Sequence, residues 1–121
     1  MESYKLGEME GRFADLIWAN EPLSSRALTE LCNEAFEWKR TTTYTMLKRL
    51  CDRGIFQNNN GLVSALISKA EFGAAQGEQL LNTSFNGSLP QFLAAFTRRK
   101  KLSEKEILEI KQLIDGYNEE D

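Results

Sequence analysis

Residues Trp38–Arg53 read WKRTTTYTMLKRLCDR, the only strongly basic segment in the first half of an acidic chain. At about 100° per residue, a helix over this segment has two unlike faces. The polar face carries Thr41, Thr42, Thr45, Lys48 and Arg49. The opposite face carries Thr43, Met46, Leu47, Leu50 and Cys51. Hydroxyls and cations on one side suit a groove lined with phosphates, but an ordinary surface helix fits equally well, so the flanking segments must discriminate.

Two further helices are predicted before this segment. Leu6, Met9, Phe13, Leu16 and Ile17 repeat at helical spacing, and Pro22 should end that helix near Asn20. A second helix follows, with Ser24 as its expected N-cap. Its apolar positions are Ala27, Leu28, Leu31, Cys32 and Ala35. A short linker, residues 36–39, leads into the basic segment, so the order is that of a helix-turn-helix.

A β-hairpin is predicted immediately after the basic segment. Gly54 is suited to end the helix in the left-handed conformation. Residues 55–57 and 62–67 are expected to be strands, joined by a turn over residues 58–61 that contains Asn60-Gly61. Three helices followed by a hairpin is the order of a winged-helix domain, which makes residues 38–53 its recognition helix.

The last third of the chain is predicted to be helical again. Residues 70–82 are weakly patterned, Asn86-Gly87 interrupts them, and Ser88 and Ser103 should cap two later helices. Because no other domain remains to cover the apolar stripes of these helices, a second copy of the chain is the expected partner. The residues expected at that dimer interface are Leu89, Phe92, Leu93, Phe96, Ile107, Ile110, Leu113, Ile114 and Tyr117. The expected division is a winged-helix domain over residues 1–69 and a helical dimerisation domain over residues 70–121.

Composition restricts the class of protein. The 121 residues, 41% of them hydrophobic, suffice for one domain, or a small domain and a short module. No run of 18 apolar residues exists and the N-terminus has no apolar signal region, so a cytoplasmic protein without membrane insertion is expected. The chain has no histidine, and its two cysteines, Cys32 and Cys51, are far apart. We therefore expect no metal site, no cofactor and no enzymatic activity.

The net charge of −3 conceals alternating segments. Residues 1–35 sum to −4, residues 36–54 to +3, residues 82–101 to +4 and residues 102–121 to −5. A basic patch on an acidic protein can bind DNA locally, while the acidic remainder discourages loose binding.

The chain resembles the family of penicillinase and methicillin-resistance repressors, whose relatives include copper-responsive repressors. Three separated segments carry the resemblance: Leu6–Trp18 to the family's first helix, Thr41–Leu50 to its recognition helix, and Phe85–Ser103 to its dimerisation segment. In the family, an aliphatic residue usually corresponds to Thr43. The resemblance implies a homodimeric transcriptional repressor on a palindromic operator that controls antibiotic-resistance or stress genes.

The resemblance also implies a way to release the operator. Antibiotic-responsive members are cleaved after a membrane sensor protease responds, at a position that aligns with Ala95-Phe96, where they carry asparagine in place of Ala95. A sensor protease or an anti-repressor is therefore an expected partner. The copper-responsive members end in a cysteine-rich tail, which this chain lacks. In the wing, Gly61 is followed by Leu62 where the family commonly has arginine, so any grip on phosphate there would fall to Asn58, Asn59 and Asn60.

The residues expected to contact DNA are Ser24, Lys39, Arg40, Thr41, Thr42, Tyr44, Thr45, Lys48, Arg49, Asn59 and Asn60. The threonines are expected at base edges and the cations at phosphates. Arg49 could instead form a salt bridge to Asp52 or Glu37. Trp38 is expected to pack between helices, and the run Arg98–Lys101 to be a solvated connection. The alternative function is a winged-helix protein-interaction module without sequence-specific DNA binding.

Overall fold

The structure is a computed structural model that describes residues 4–117. Residues 1–3 and 118–121 lie outside that range. The expectations about a signal segment and a C-terminal tail partly concern these residues. The elements in chain order are α1 (Glu8–Asn20), β1 (Leu23–Ser24), α2 (Ser25–Phe36), α3 (Arg40–Asp52), β2 (Phe56–Asn59), β3 (Leu62–Ala65), α4 (Lys69–Ser84), α5 (Leu89–Arg99) and α6 (Glu104–Asp115).

Three helices begin at the serines that the sequence predicted. Ser24 Oγ accepts a hydrogen bond from the Ala27 amide at 3.0 Å, and Ser88 Oγ accepts one from the Gln91 amide at 3.1 Å. Ser103 forms a reciprocal capping box with Glu106. Each cap satisfies an amide that has no partner within its helix, which fixes where the helix starts.

The helix-turn-helix is closed by a left-handed residue and an aromatic cluster. Glu37 has φ 58° and ends α2, and its amide donates to the Asn33 carbonyl. Trp38 then packs its ring against those of Phe13 and Phe36, with centroids 5.7 and 4.9 Å apart. The predicted packing role of Trp38 is confirmed. This cluster joins α1 and α2 at the point where α3 begins.

A three-stranded antiparallel sheet follows, in the order β1-β3-β2. The hairpin of β2 and β3 was predicted, whereas β1 was not, since two residues carry no periodicity. Leu23 of β1 pairs with Val63. The turn is tighter than expected because β2 extends to Asn59, which leaves Asn60 and Gly61, with φ 51° and 91°, as the two central residues. Positive φ at both positions is the requirement of a type I′ hairpin turn.

One hydrophobic core lies beneath α1, α2, α3 and the sheet. Its fully buried members come from the three helices and the sheet: Phe13, Ala14, Ile17, Leu28, Cys32, Leu50, Phe56 and Val63. The indole of Trp18 lies beside Phe56 and Phe72 and donates to the Ile67 carbonyl at 3.0 Å. The core therefore holds α3 by its apolar side alone, as the sequence pattern of that helix predicted.

The chain divides into two compact units, with the boundary between Gln79 and Leu80. This boundary lies inside α4 and not at its start, because Phe72 is 3% exposed and packs against Trp18 and Tyr4. The first part of α4 thus belongs structurally to the winged-helix unit. The functional division into a DNA-binding and a dimerisation domain stays a prediction.

The second unit contains the end of α4, α5 and α6. Its aromatic rings pack in a row: Phe85 lies edge-on to Phe92, and Phe92 stacks on Phe96 at 5.4 Å. Neither α5 nor α6 contains a fully buried residue. Within residues 4–117, no helix is long and apolar enough to cross a membrane.

Candidate nucleic-acid interface

The outward side of α3 carries the side chains that the sequence assigned to it. Thr41, Thr42, Thr45, Lys48 and Arg49 are all exposed. On the inward side Thr43 and Leu50 are fully buried and Leu47 is 2% exposed, whereas Met46 and Cys51 are half-buried. The predicted two-faced character of this helix is confirmed.

A shallow depression lies on this outward side. It is lined by Thr41, Thr42, Thr45, Met46 and Arg49. Threonine presents a methyl group to thymine or a hydroxyl to either kind of base edge. The short side chains also leave the helix backbone free to approach a partner closely, with one guanidinium at the border.

Two cations of α3, Lys48 and Arg49, are paired with acids. Lys48 Nζ lies 3.2 Å from Asp52 Oδ2 one turn along the helix. Arg49 Nη1 lies 3.4 Å from Glu10 Oε2, so the partner predicted for Arg49, either Asp52 or Glu37, is wrong. Sequence spacing suggested acids near α3, but tertiary packing brings α1 closer to the arginine.

Glu10 is surrounded by donors. Its Oε1 accepts from the Gly7 amide at 2.9 Å and lies 3.8 Å from Arg53 Nη1. The hydrogen bond from Gly7, together with Arg49 and Arg53, holds the pKa of Glu10 below its ordinary value, although partial burial opposes the shift. The carboxylate is therefore ionised throughout the neutral range.

The start of α3 presents cations without a side-chain cap. Lys39 is the N-cap residue and its side chain accepts no hydrogen bond from the helix. Lys39 and Arg40 are exposed and border a second depression, whose other lining residues include two acids: Thr29, Glu30, Asn33, Glu34 and Trp38. A helix N-terminus with adjacent cations attracts anions.

Ser24 and Tyr44 are both held by contacts within the winged-helix unit. The Ser24 hydroxyl caps α2, and the Tyr44 hydroxyl lies 3.2 Å from Ser25 Oγ. Tyr44 remains 38% exposed at the edge of the outward side. Contact with Ser25 connects α3 to the beginning of α2 and so orients the tyrosine ring.

The wing has no cation between Ile55 and Ser68. Asn58 Oδ1 accepts from the Gly61 amide at 2.9 Å, and Asn59 Nδ2 donates to Gln57 Oε1 at 3.3 Å. Two of the three asparagines expected at phosphate therefore bond within the hairpin. Leu62, in the place of the expected arginine, is 51% exposed.

The residues predicted at a dimer interface lie on α5, α6 and just beyond. The most exposed are Leu113 and Tyr117, each 73%, and Ile114, 62%. Leu89 and Ile107 are 49% and 40% exposed, while Phe92, Leu93, Phe96 and Ile110 are half-buried. Sequence reasoning missed Leu108, which is 56% exposed and extends the apolar surface of α6. Such a density of exposed apolar side chains is typical of an interaction surface.

Other chemistry-bearing groups are placed without a site around them. Cys32 is buried and Cys51 half-buried, and burial raises the pKa of both thiols. The described residues contain no group of three side chains able to hold a metal ion.

Ala95 and Phe96 lie inside α5, half-buried, and the Phe96 carbonyl accepts a hydrogen bond from the Lys100 amide. Arg98 and Arg99 form the last turn of α5, so the predicted connection is shorter than expected.

These elements define a winged-helix protein whose third helix exposes hydroxyls and cations. The family model described as penicillinase repressor matches residues 6–116. A methicillin resistance regulatory protein of Staphylococcus aureus is 20% identical over 94% of this chain and 96% of its own length. A penicillinase repressor of Bacillus licheniformis is 21% identical over 93% of this chain and 91% of its own. The chain belongs to the penicillinase repressor family, whose members are transcriptional repressors and not enzymes.

Proposed function

We propose that this repressor binds double-stranded DNA through the outward side of α3, as a homodimer on a palindromic operator. One observation carries the proposal: α3 packs on the core by its apolar side and leaves its threonines, Lys48 and Arg49 exposed, the geometry that major-groove readout requires. We propose that it acts in the cytoplasm, where the DNA of its bacterial relatives lies.

The contacts divide by chemistry. Thr41, Thr42 and Thr45 contact base edges, with Tyr44 beside them. Lys48 and Arg49 are close to phosphates, and Lys39 and Arg40 fix the register at the helix N-terminus. Ser24, the cap of α2, is proposed to fix the register at the N-terminus of that helix. In the wing, Asn59 and Asn60 contribute weakly, since the hairpin carries no charge to attract phosphate.

Dimerisation is proposed through the apolar surface of α5 and α6. Leu113, Ile114 and Tyr117 are each more than 60% exposed in a single copy, which is costly in water. A second copy that covers this surface would place two winged-helix units on one DNA, as half-sites of a palindrome require.

Control of the repressor by cleavage is proposed at Ala95–Phe96, through a sensor protease. An anti-repressor that displaces the dimer would act on the same helices. Since these two residues lie inside a hydrogen-bonded helix, cleavage needs local opening of α5. A helix that loses its dimer partner opens more readily, so dissociation and cleavage would reinforce each other.

The test is an anisotropy titration of the full chain with labelled DNA from the region upstream of its own gene, and with a scrambled duplex of equal length. We expect tighter binding to the upstream DNA, and affinity for both that falls steeply as salt rises. Equal or salt-independent binding would reject the proposal and favour the protein-interaction module.

A further inference from the structure

We propose that Glu10 is a positioning residue for DNA recognition: it holds Arg49 toward α1 and thereby suppresses binding to non-operator DNA. The inference rests on the proposed function and adds a residue of α1 to it, one without any DNA contact. The observation behind it is a single carboxylate shared by Arg49 of α3 and Arg53, the C-cap residue of that helix.

The geometry fixes Glu10 more firmly than a surface ion pair. Its Oε1 is bound by the Gly7 amide at 2.9 Å, while Oε2 faces Arg49 Nη1 at 3.4 Å. The side chain is 20% exposed, in contrast to the freely exposed Lys48–Asp52 pair at 77% and 64%. The carboxylate is thus a preformed acceptor that keeps its position when the Arg49 side chain moves toward solvent.

The two arginines differ in what they can reach. Arg53 has a side chain only 18% exposed, and its Nη2 donates to the Lys5 carbonyl at 3.0 Å. Arg49 is 54% exposed and borders the threonine-lined depression. Arg53 therefore anchors Glu10 to α3, whereas Arg49 is the cation that can meet DNA.

A carboxylate at this position affects phosphates and bases differently. A phosphate that approaches Arg49 competes with Glu10 and is repelled by it, because both are anions. A neutral base edge that accepts from the remaining nitrogens of Arg49 meets no such repulsion. Arg49, close to the phosphates of the operator, is then directed to a base edge beside them, whereas non-operator DNA offers it only phosphates, which Glu10 repels.

The test is Glu10→Gln in the full-length protein, since the amide oxygen can still accept from Gly7 while the charge is lost. We expect binding to the scrambled duplex to tighten roughly two- to fivefold, the range of one partly exposed ion pair. The salt dependence should steepen by up to about one phosphate. The upstream DNA should gain less, so the ratio of the two affinities falls.

A matched control and a second background separate positioning from charge. Glu8→Gln removes the same charge from the first turn of α1, where Glu8 is exposed. It should leave the affinity ratio unchanged. In an Arg49→Ala background, Glu10→Gln should no longer alter the ratio, because its effect passes through Arg49. Urea unfolding of each variant tests whether the fold is intact. Glu10→Asp keeps the charge on a shorter side chain, so its affinity ratio should lie between those of the wild type and Glu10→Gln.

Three outcomes would overturn the inference. An affinity ratio equal to that of Glu8→Gln would reduce Glu10 to a structural ion pair. An undiminished effect in the Arg49→Ala background would show action by another route. If the wild type itself did not discriminate the upstream DNA, the proposed function would fail and this inference with it, whereas the first two outcomes leave the proposed function standing.

Discussion

Thr43 is a polar residue on the buried, otherwise apolar side of α3. Its side chain is fully buried, and among the residues that the structure describes its hydroxyl has no hydrogen-bond partner. Burial raises the pKa of the nearby Cys32 thiol, and the Thr43 hydroxyl lowers it in part, but the two groups do not reach hydrogen-bond geometry. A buried hydroxyl without a partner costs free energy, because water would have satisfied it.

Thr43→Val should therefore stabilise the protein. The isosteric methyl group removes the unsatisfied oxygen without altering the packing, and we expect the free energy of unfolding to rise by about 1 kcal/mol. Urea denaturation measures the change. The matched control is Thr42→Val on the exposed side, which should stay within about 0.5 kcal/mol of the wild type. A lower midpoint for Thr43→Val would mean that the hydroxyl makes a useful contact with the thiol.

Thr45 and Lys48 should respond differently to truncation, because one is proposed at a base edge and the other at a phosphate. Thr45→Ala should weaken binding to the upstream DNA by about 1–3 kcal/mol and leave the scrambled duplex nearly unaffected. Lys48→Ala should weaken both equally and flatten the salt dependence by about one phosphate. Anisotropy at several salt concentrations distinguishes them, and an unchanged salt slope in Lys48→Ala would remove that residue from the interface.

At the scale of the element, the wing departs most from expectation. Its turn is tight and its side-chain amides bond within the hairpin, so its register is well defined while its charge is zero. The exposed Leu62 beside the turn offers nothing to a phosphate. The wing therefore supports α3 through its buried side, where Phe56 and Val63 belong to the core.

Leu62→Arg should give the wing the cation that it lacks. We expect tighter binding to DNA of either sequence and a salt dependence steeper by about one phosphate, because a backbone contact is added and no base is read. Leu66→Arg is the matched control, as Leu66 is similarly exposed, at 56%, but lies at the far end of the hairpin from the turn. Equal effects of both substitutions would indicate a general charge effect and no wing contact.

At the scale of the whole molecule, the two units differ in how they are stabilised. The winged-helix unit has a core with fully buried residues from three helices and the sheet. In the second unit, α5 and α6 have no fully buried residue and leave Leu113 and Ile114 largely exposed. The first unit thus buries its own apolar side chains, whereas the second leaves apolar side chains exposed that a second copy could cover.

Ile114→Glu should dissociate the proposed dimer. A charge placed in the apolar surface cannot be paired there, and we expect the dimer to weaken by at least about 2 kcal/mol, roughly thirtyfold in its dissociation constant. Sedimentation velocity measures the change over a range of concentrations. Gln112→Glu adds the same charge to the same helix at an exposed polar position and should leave the dimer intact. A wild type that is monomeric at every concentration would contradict the proposal.

The features that could be predicted from sequence depend on residues that are close together in the chain. The serine caps, the two faces of α3 and the Asn60-Gly61 turn all depend on residues within a few positions of one another, and all are present in the structure. Spacing and capping chemistry act locally, so they can be recognised in a single sequence. The family resemblance added the functional class, which the family match then confirmed.

Tertiary structure decided what depends on distant pairs. Strand β1 exists because Leu23 pairs with Val63 across the sheet, and the first part of α4 belongs to the first unit because Phe72 packs against Trp18. Arg49 is held by Glu10, 39 positions away, and by neither of the acids near it in sequence. The amino-acid sequence thus determined that residues 38–53 contain a helix with one polar side. Only packing against α1 decided how the arginine on that side is held.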